Sequence, residues 1–124
     1  MAQETYTITV GDQEVELRFD MKSVGWFERK FGHALIQAIT QHTGVELSIW
    51  LLLAGMRGAG KEATYDTAEA LIQSANDAGK GNWTTVTKQM MEALRHFGFI
   101  PKKEFDPEEV RPLVAGRSSG ARGE

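Results

Sequence analysis

The stretch Ile49-Trp50-Leu51-Leu52-Leu53 narrows the folds open to this chain more than any other feature, because no regular element that contains it can have a polar side. In a helix of about Leu47 to Arg57 these side chains point all the way round the axis. Such a helix is either the central element of a core or is covered on its second side by another subunit. The uninterrupted apolar run, Ile49 to Ala54, is far too short to span a bilayer, so a soluble protein built around a buried helix is expected.

The flanking segments supply what must surround that helix. Tyr6, Ile8 and Val10 alternate with threonines, Gly11, Asp12 and Gln13 read as a turn, and Val15, Leu17 and Phe19 alternate again, which predicts a β-hairpin. A two-stranded ribbon is marginal alone, so its apolar face must lie on the helices that follow, while its outer edges offer pairing sites for another strand. From Ser23, a candidate N-cap, the residues Val24, Phe27, Phe31, Leu35 and Ile39 trace one stripe of a helix to about His42, with a kink or a split into two at Gly32. After the apolar helix, Gly55, Gly58 and Gly60 mark a loop. A third helix opens on the capping-box pattern Asp66 and Glu69 and buries Ala68, Leu71, Ile72 and Ala75. A fourth starts near Asn82, spaces Trp83, Val86, Met90, Leu94 and Phe97 by three or four residues, and stops at Gly98.

The expected fold is therefore α+β and mainly α: an N-terminal hairpin on a bundle of about four helices, forming one domain over residues 1–100. Residues 101–124 carry prolines, glycines, serines and charges without periodicity, and are expected to be a disordered tail in which Val110, Leu113 and Val114 form a small apolar island.

Composition excludes several functions. The chain has no cysteine, which removes disulfides and thiolate metal sites and suits a reducing compartment. No basic segment leads into an apolar run with a cleavage site, so a secretory signal is not expected. Up to Ile100 there are nine Lys/Arg against twelve Asp/Glu, and beyond it five against five. Neither part has the dense positive footprint that phosphate neutralisation requires, so nucleic acid is not the expected partner.

The strongest suggestion of enzymatic chemistry is Gly55-Met56-Arg57-Gly58-Ala59-Gly60-Lys61, which matches the first seven positions of a phosphate-binding G-x-x-x-x-G-K loop. The next position should be a hydroxyl that holds Mg²⁺, and it is Glu62. A true phosphate loop also follows a strand, whereas this one follows a helix. It reads as a helix ending, and a nucleotide-binding protein using Lys61 stays only a remote alternative. His33, His42 and His96 lack the spacing of a metal site, no serine sits in a nucleophile elbow, Asp66 and Glu69 read as helix-capping groups, and Asp106, Glu108 and Glu109 read as a solvated turn. No enzymatic activity, metal or cofactor is expected.

Trp26, Trp50 and Trp83 fall on three predicted helices, with at least two of them expected in the core, and Met56, Met90 and Met91 read as packing residues. Aromatic and methionine side chains also serve protein interfaces, and the apolar helix has more apolar surface than one face can bury. A groove between it and the last helix, lined by Trp50, Leu53, Met56, Met90 and Met91, is the candidate partner-binding surface, and self-association into a homo-oligomer is expected.

The order of segments resembles the tail assembly chaperones of long-tailed, siphovirus-like bacteriophages, prophages and gene transfer agents. The resemblance rests on the hairpin and on Val24-Gly25-Trp26-Phe27-Glu28-Arg29-Lys30-Phe31-Gly32. It continues through Leu51-Leu52-Leu53-Ala54-Gly55-Met56-Arg57 and Thr64-Tyr65-Asp66-Thr67-Ala68-Glu69-Ala70-Leu71-Ile72, and covers about residues 4 to 100. It implies a mainly helical protein in the host cytoplasm that coats the apolar helical tape measure protein during tail morphogenesis and is absent from the finished virion. It further implies a possible partner in a longer, frameshifted form of the same chain. Another small phage structural component, such as a neck or tail-completion protein, is the alternative.

Overall fold

A computed structural model of the chain describes residues 4–42 and 44–101. The tail expected to be disordered, with its apolar island and the Asp106, Glu108 and Glu109 cluster, lies outside the described residues. Strands β1 (Tyr6–Val10) and β2 (Gln13–Leu17) form an antiparallel hairpin in the register Tyr6↔Leu17, Ile8↔Val15 and Val10↔Gln13. Five helices follow: α1 (Met21–Phe31), α2 (Leu35–Gln41), α3 (Val45–Gly58), α4 (Tyr65–Asp77) and α5 (Trp83–His96). The architecture is α+β and mainly α, as the alternation and helical periodicities predict.

The count rises from about four helices to five because the first predicted helix divides. Gly32 takes a left-handed φ of +88° at the end of α1, and α2 starts afresh at Leu35 on the same apolar stripe. With no capping side chain at Ala34, the Leu35 amide instead donates to Glu28 Oε2 at 2.8 Å, so a carboxylate from α1 caps α2. Two predicted caps are also corrected. The N-cap of α1 is Asp20, whose carboxylate accepts from the Ser23 amide while the Ser23 hydroxyl accepts from the Asp20 amide, a reciprocal box in which Ser23 is the third helical residue. The N-cap of α4 is Thr64, accepting from the Thr67 amide, and Asp66 lies within the first turn, where its charge suits the helix N-terminus.

Helix α3 is the axis of the molecule. From Leu47 to Met56 every residue except Trp50 is buried, because β2, α1, α4 and α5 all pack against it. Full burial of Leu51 and Leu52 removes two of the largest aliphatic side chains from water, each contributing about 1.5–3 kcal/mol. The one polar group in this run, Ser48, is fully buried against α5, where its hydroxyl donates to the Trp83 carbonyl at 3.2 Å and meets the Thr87 hydroxyl. The inner face of the hairpin, with Ile8, Val10, Val15, Leu17 and Phe19 all buried, closes another side.

The stretch that mimics a phosphate loop has a structural use. The Arg18 amide donates to the Gly55 carbonyl at 3.0 Å, so the exit of β2 lies directly on the backbone of α3. A Cβ on Gly58 would stand 1.9 Å from the Arg18 carbonyl oxygen, and one on Gly55 would stand 3.0 Å from Leu17 and Phe19 side-chain carbons. Gly60, at φ +87°, then ends the helix: its amide donates to the Arg57 carbonyl and the Lys61 amide to the Met56 carbonyl, both at 3.0 Å. This is a Schellman ending. The amides that a phosphate would need are spent on the helix's own carbonyls, at its negative end, and Lys61 pairs with Glu16 at 3.5 Å.

The outer edges of the hairpin are less open than the sequence implies. The Gln89 side chain on α5 accepts from the Thr9 amide at 2.9 Å and donates to the Thr9 carbonyl at 2.6 Å, standing where a neighbouring strand would pair with β1. Replacing Gln89 by Ala should cost about 1 kcal/mol in denaturant titration and open that edge. Increased self-association of the variant by light scattering would be the second sign.

Candidate interaction surface

The five residues expected to line a groove do not share one surface. Helices α3 and α5 are in direct contact through Ser48, Trp83 and Thr87, and the cleft that borders both is lined by Val45, Ile49 and Trp83 and by none of the five. Leu53 is 3 % exposed and Met90 is wholly buried, so both are core residues. Met56 is also buried and only borders a cleft between β2 and α4. Trp50 and Met91 are half-buried, but they face different ways. At about 100° per residue Trp50 points roughly opposite to Ser48, the residue that contacts α5, whereas Met91 lies on the outer side of α5 beside Lys88 and Arg95.

Around Trp50 the fold assembles a different surface. The Trp50 ring lies between Trp26 of α1, with centroids 6.0 Å apart, and Tyr65 of α4, at 5.1 Å; all three are half-buried and tilted against one another. Glu46 holds two of them. Its carboxylate accepts from the Trp50 indole N–H at 3.1 Å and from the Tyr65 hydroxyl at 2.6 Å. The Arg57 guanidinium lies 4.6 Å over the Trp26 ring. Aromatic bodies with a polar tip and a stacked arginine are the residue types that protein interfaces favour. Of this strip the sequence singled out Trp50, and expected at least two tryptophans in the core. In the fold all three, Trp83 included, sit at the core margin.

The clamp has a measurable electrostatic effect. Accepting a hydrogen bond from the neutral phenol, together with burial and its own charge, the Glu46 carboxylate pushes the Tyr65 pKa up to about 12. The folded pKa lies above the unfolded one, so the contribution of this pair to stability is present below about pH 10 and is lost as pH rises toward 12. Ultraviolet titration of tyrosinate should show one of the two tyrosines ionising late, and Glu46→Gln should return it toward the ordinary range.

Beside the aromatic strip opens a cleft of about 750 Å³ between the start of α1 and the end of α3, bordered by Trp26, Arg57, Gly58 and Lys61. At its rim Asp20 would be raised by burial, but hydrogen bonds from Ser23 and the charge of Arg18 outweigh this and hold its carboxyl below the usual value. Arg18 Nε lies 3.4 Å from Asp20 Oδ2, an ion pair without hydrogen-bond alignment.

The three histidines fall in two places. The His33 and His42 rings lie 4.2 Å apart and tilted, each edge-on to Phe31, and His96 pairs with Glu4. Among the described residues no group of three or more His, Asp or Glu could hold a metal ion, and no helix is long and apolar enough to cross a membrane. No protein-family model matches the chain, and neither a curated protein nor a solved structure is significantly similar to it.

Proposed function

We propose that this protein is a tail assembly chaperone that keeps an apolar helical client, the phage tape measure protein, soluble until tail-tube subunits enclose it, and that the Trp26, Trp50 and Tyr65 strip is the surface that meets the client. The observation that carries the surface is the convergence of three half-buried aromatic rings from three helices onto one patch beside Arg57. The client itself is inferred from the resemblance of residues 4 to 100. Offset aromatic rings present apolar area at little entropic cost, which suits reversible contact with many similar apolar helices. No covalent step is needed. Displacement by tube subunits requires only that the contact be weaker than the assembly that replaces it.

Co-expression with the tape measure protein tests the reading. The parent protein should move the client into the soluble fraction, and Trp50→Ala with Trp26→Ala should return most of it to the pellet while the variant itself stays folded. Client that remains insoluble with the parent protein would overturn the chaperone reading. Client kept soluble by the double variant would instead move the surface elsewhere. A chaperone should also be missing from purified virions, whereas a neck or tail-completion protein would be present in them.

A further inference from the structure

We propose that the cleft beside Trp26 is the docking site of this chain's own acidic segment, Glu104 to Glu109, held there intramolecularly by ion pairing. This does not depend on the client assigned above.

The cleft is a positive site on an acidic molecule. The chain carries a net charge of −3, yet Lys22, Arg29, Arg57 and Lys61 border this one cleft, against the carboxylates Asp20 and Glu62. Asp20 is already engaged by Arg18 and Ser23. Lys61 has Glu16, but Lys22, Arg29 and Arg57 make no ion pair among the described residues. On α1, Lys22, Trp26 and Arg29 are four and three residues apart, so the two cations flank the indole along one face. Like charges gathered this way repel one another unless an anion lies between them.

Residues 104–109 read Glu-Phe-Asp-Pro-Glu-Glu, four carboxylates around one phenylalanine. Their chemistry is complementary to the cleft, whose cations surround apolar surface from Trp26 and Ala63. They follow the end of α5 at His96. At the end of α5, His96 pairs with Glu4; the Glu4 carbonyl accepts from Arg18 Nη1 at 3.2 Å; and Arg18 adjoins Asp20 on the rim of the cleft. Extended, residues 102–109 span up to about 26 Å, so the distal carboxylates Glu108 and Glu109 reach farthest along that line. Exposed ion pairs are individually weak and screened. A tether of a few residues supplies an effective concentration in the millimolar range, which makes the chain's own segment a better occupant than a free acidic peptide.

The absence of cysteine permits a direct test on the full chain. A nitroxide placed through Val110→Cys should broaden the amide signals of Lys22 and Arg57 and the indole signal of Trp26 by more than half relative to the reduced label, and leave α5 residues such as Lys88 sharp. The broadening should vanish in Arg29→Gln with Arg57→Gln, and separately when Glu104, Asp106, Glu108 and Glu109 are replaced by their amides. It should also fade as salt rises toward 1 M, where the screening length is about 3 Å. Broadening that misses the cleft, or survives both charge-neutral variants, would overturn the proposal. So would broadening seen only between labelled and isotope-enriched chains in a mixed sample, which would make the occupant a second copy.

Discussion

Gly58→Ala should be among the most damaging single-methyl additions available in this protein, lowering stability by about 3 kcal/mol or more and the melting temperature by roughly 10 to 15 °C. The new carbon would stand 1.9 Å from the Arg18 carbonyl oxygen and 3.0 Å from Ser23 Oγ. Neither neighbour can yield cheaply. Arg18 is fixed by the hydrogen bond that its amide donates to the Gly55 carbonyl and lies between Leu17 and Phe19, both buried, while Ser23 completes the reciprocal cap with Asp20. Moving the strand away from α3 would open a void along the inner face of the hairpin. Gly25→Ala is the matched control: it lies inside α1, and its added carbon would meet only Arg29 Nη1 at 3.6 Å. That change should raise stability by about 0.5–1 kcal/mol, since alanine restricts the unfolded chain and suits the helix. Thermal and chemical denaturation of the two variants would show opposite signs. A Gly58→Ala protein as stable as the parent would mean that the strand is not seated on the helix as described.

These two glycines also show which parts of the fold the sequence makes legible. The alternation in Tyr6–Val10 and Val15–Phe19 and the apolar run at Ile49–Leu53 depend on local period and composition, and they identify the hairpin and the central helix. The division at Gly32 is harder to read because the stripe Val24, Phe27, Phe31 and Leu35 keeps helical spacing straight through it. Only the backbone turn at φ +88° separates α1 from α2. The caps are hard to place for a related reason: Asp20 and Ser23 lie three residues apart and Thr64 and Asp66 two apart, and either member of each pair has the side-chain oxygen that a cap needs. Gly55 and Gly58 look like a phosphate loop because close backbone approach and phosphate binding both demand the missing side chain. Which of the two applies depends on what lies opposite, and here it is Arg18.

The candidate interaction surface is half legible for a geometrical reason. Trp50 stands out as the bulkiest side chain of the apolar run, but its neighbours Trp26 and Tyr65 come from α1 and α4, and their convergence depends on how those helices cross α3. The inference of surplus apolar surface on α3 fails for the same reason. Periodicity shows that a helix is apolar on every side, but not how many elements will gather round it. With β2, α1, α4 and α5 all against it, α3 is covered within one chain from Leu47 to Met56, and Trp50 is the one residue of that run left half-buried. Self-association therefore loses the argument from an uncovered central helix.

The adjacent methionines of α5 give the sharpest contrast between core and surface. Met90→Asp should leave the chain without cooperative tertiary structure. Met90 is wholly buried where α5 meets the core, so the substitution removes a packed side chain, at about 2–5 kcal/mol, and puts a carboxyl where no partner is available, at a further few kcal/mol even when protonated. Together these rival the whole stability of a domain of this size, about 5–15 kcal/mol. Met91→Asp should fold with a stability within about 1 kcal/mol of the parent. Its side chain is half-buried on the outer side of α5, with Lys88 and Arg95 three and four residues away to meet the new charge. Amide signal dispersion and a sigmoidal melt would separate the two: dispersed and cooperative for Met91→Asp, collapsed and gradual for Met90→Asp. Because the folded variant changes the charge of the α5 face and leaves the aromatic strip intact, it also serves as the control for client binding. On the proposed chaperone reading, tape measure protein should stay soluble with Met91→Asp and precipitate with Trp50→Ala and Trp26→Ala; the reverse pattern would place the proposed client on α5.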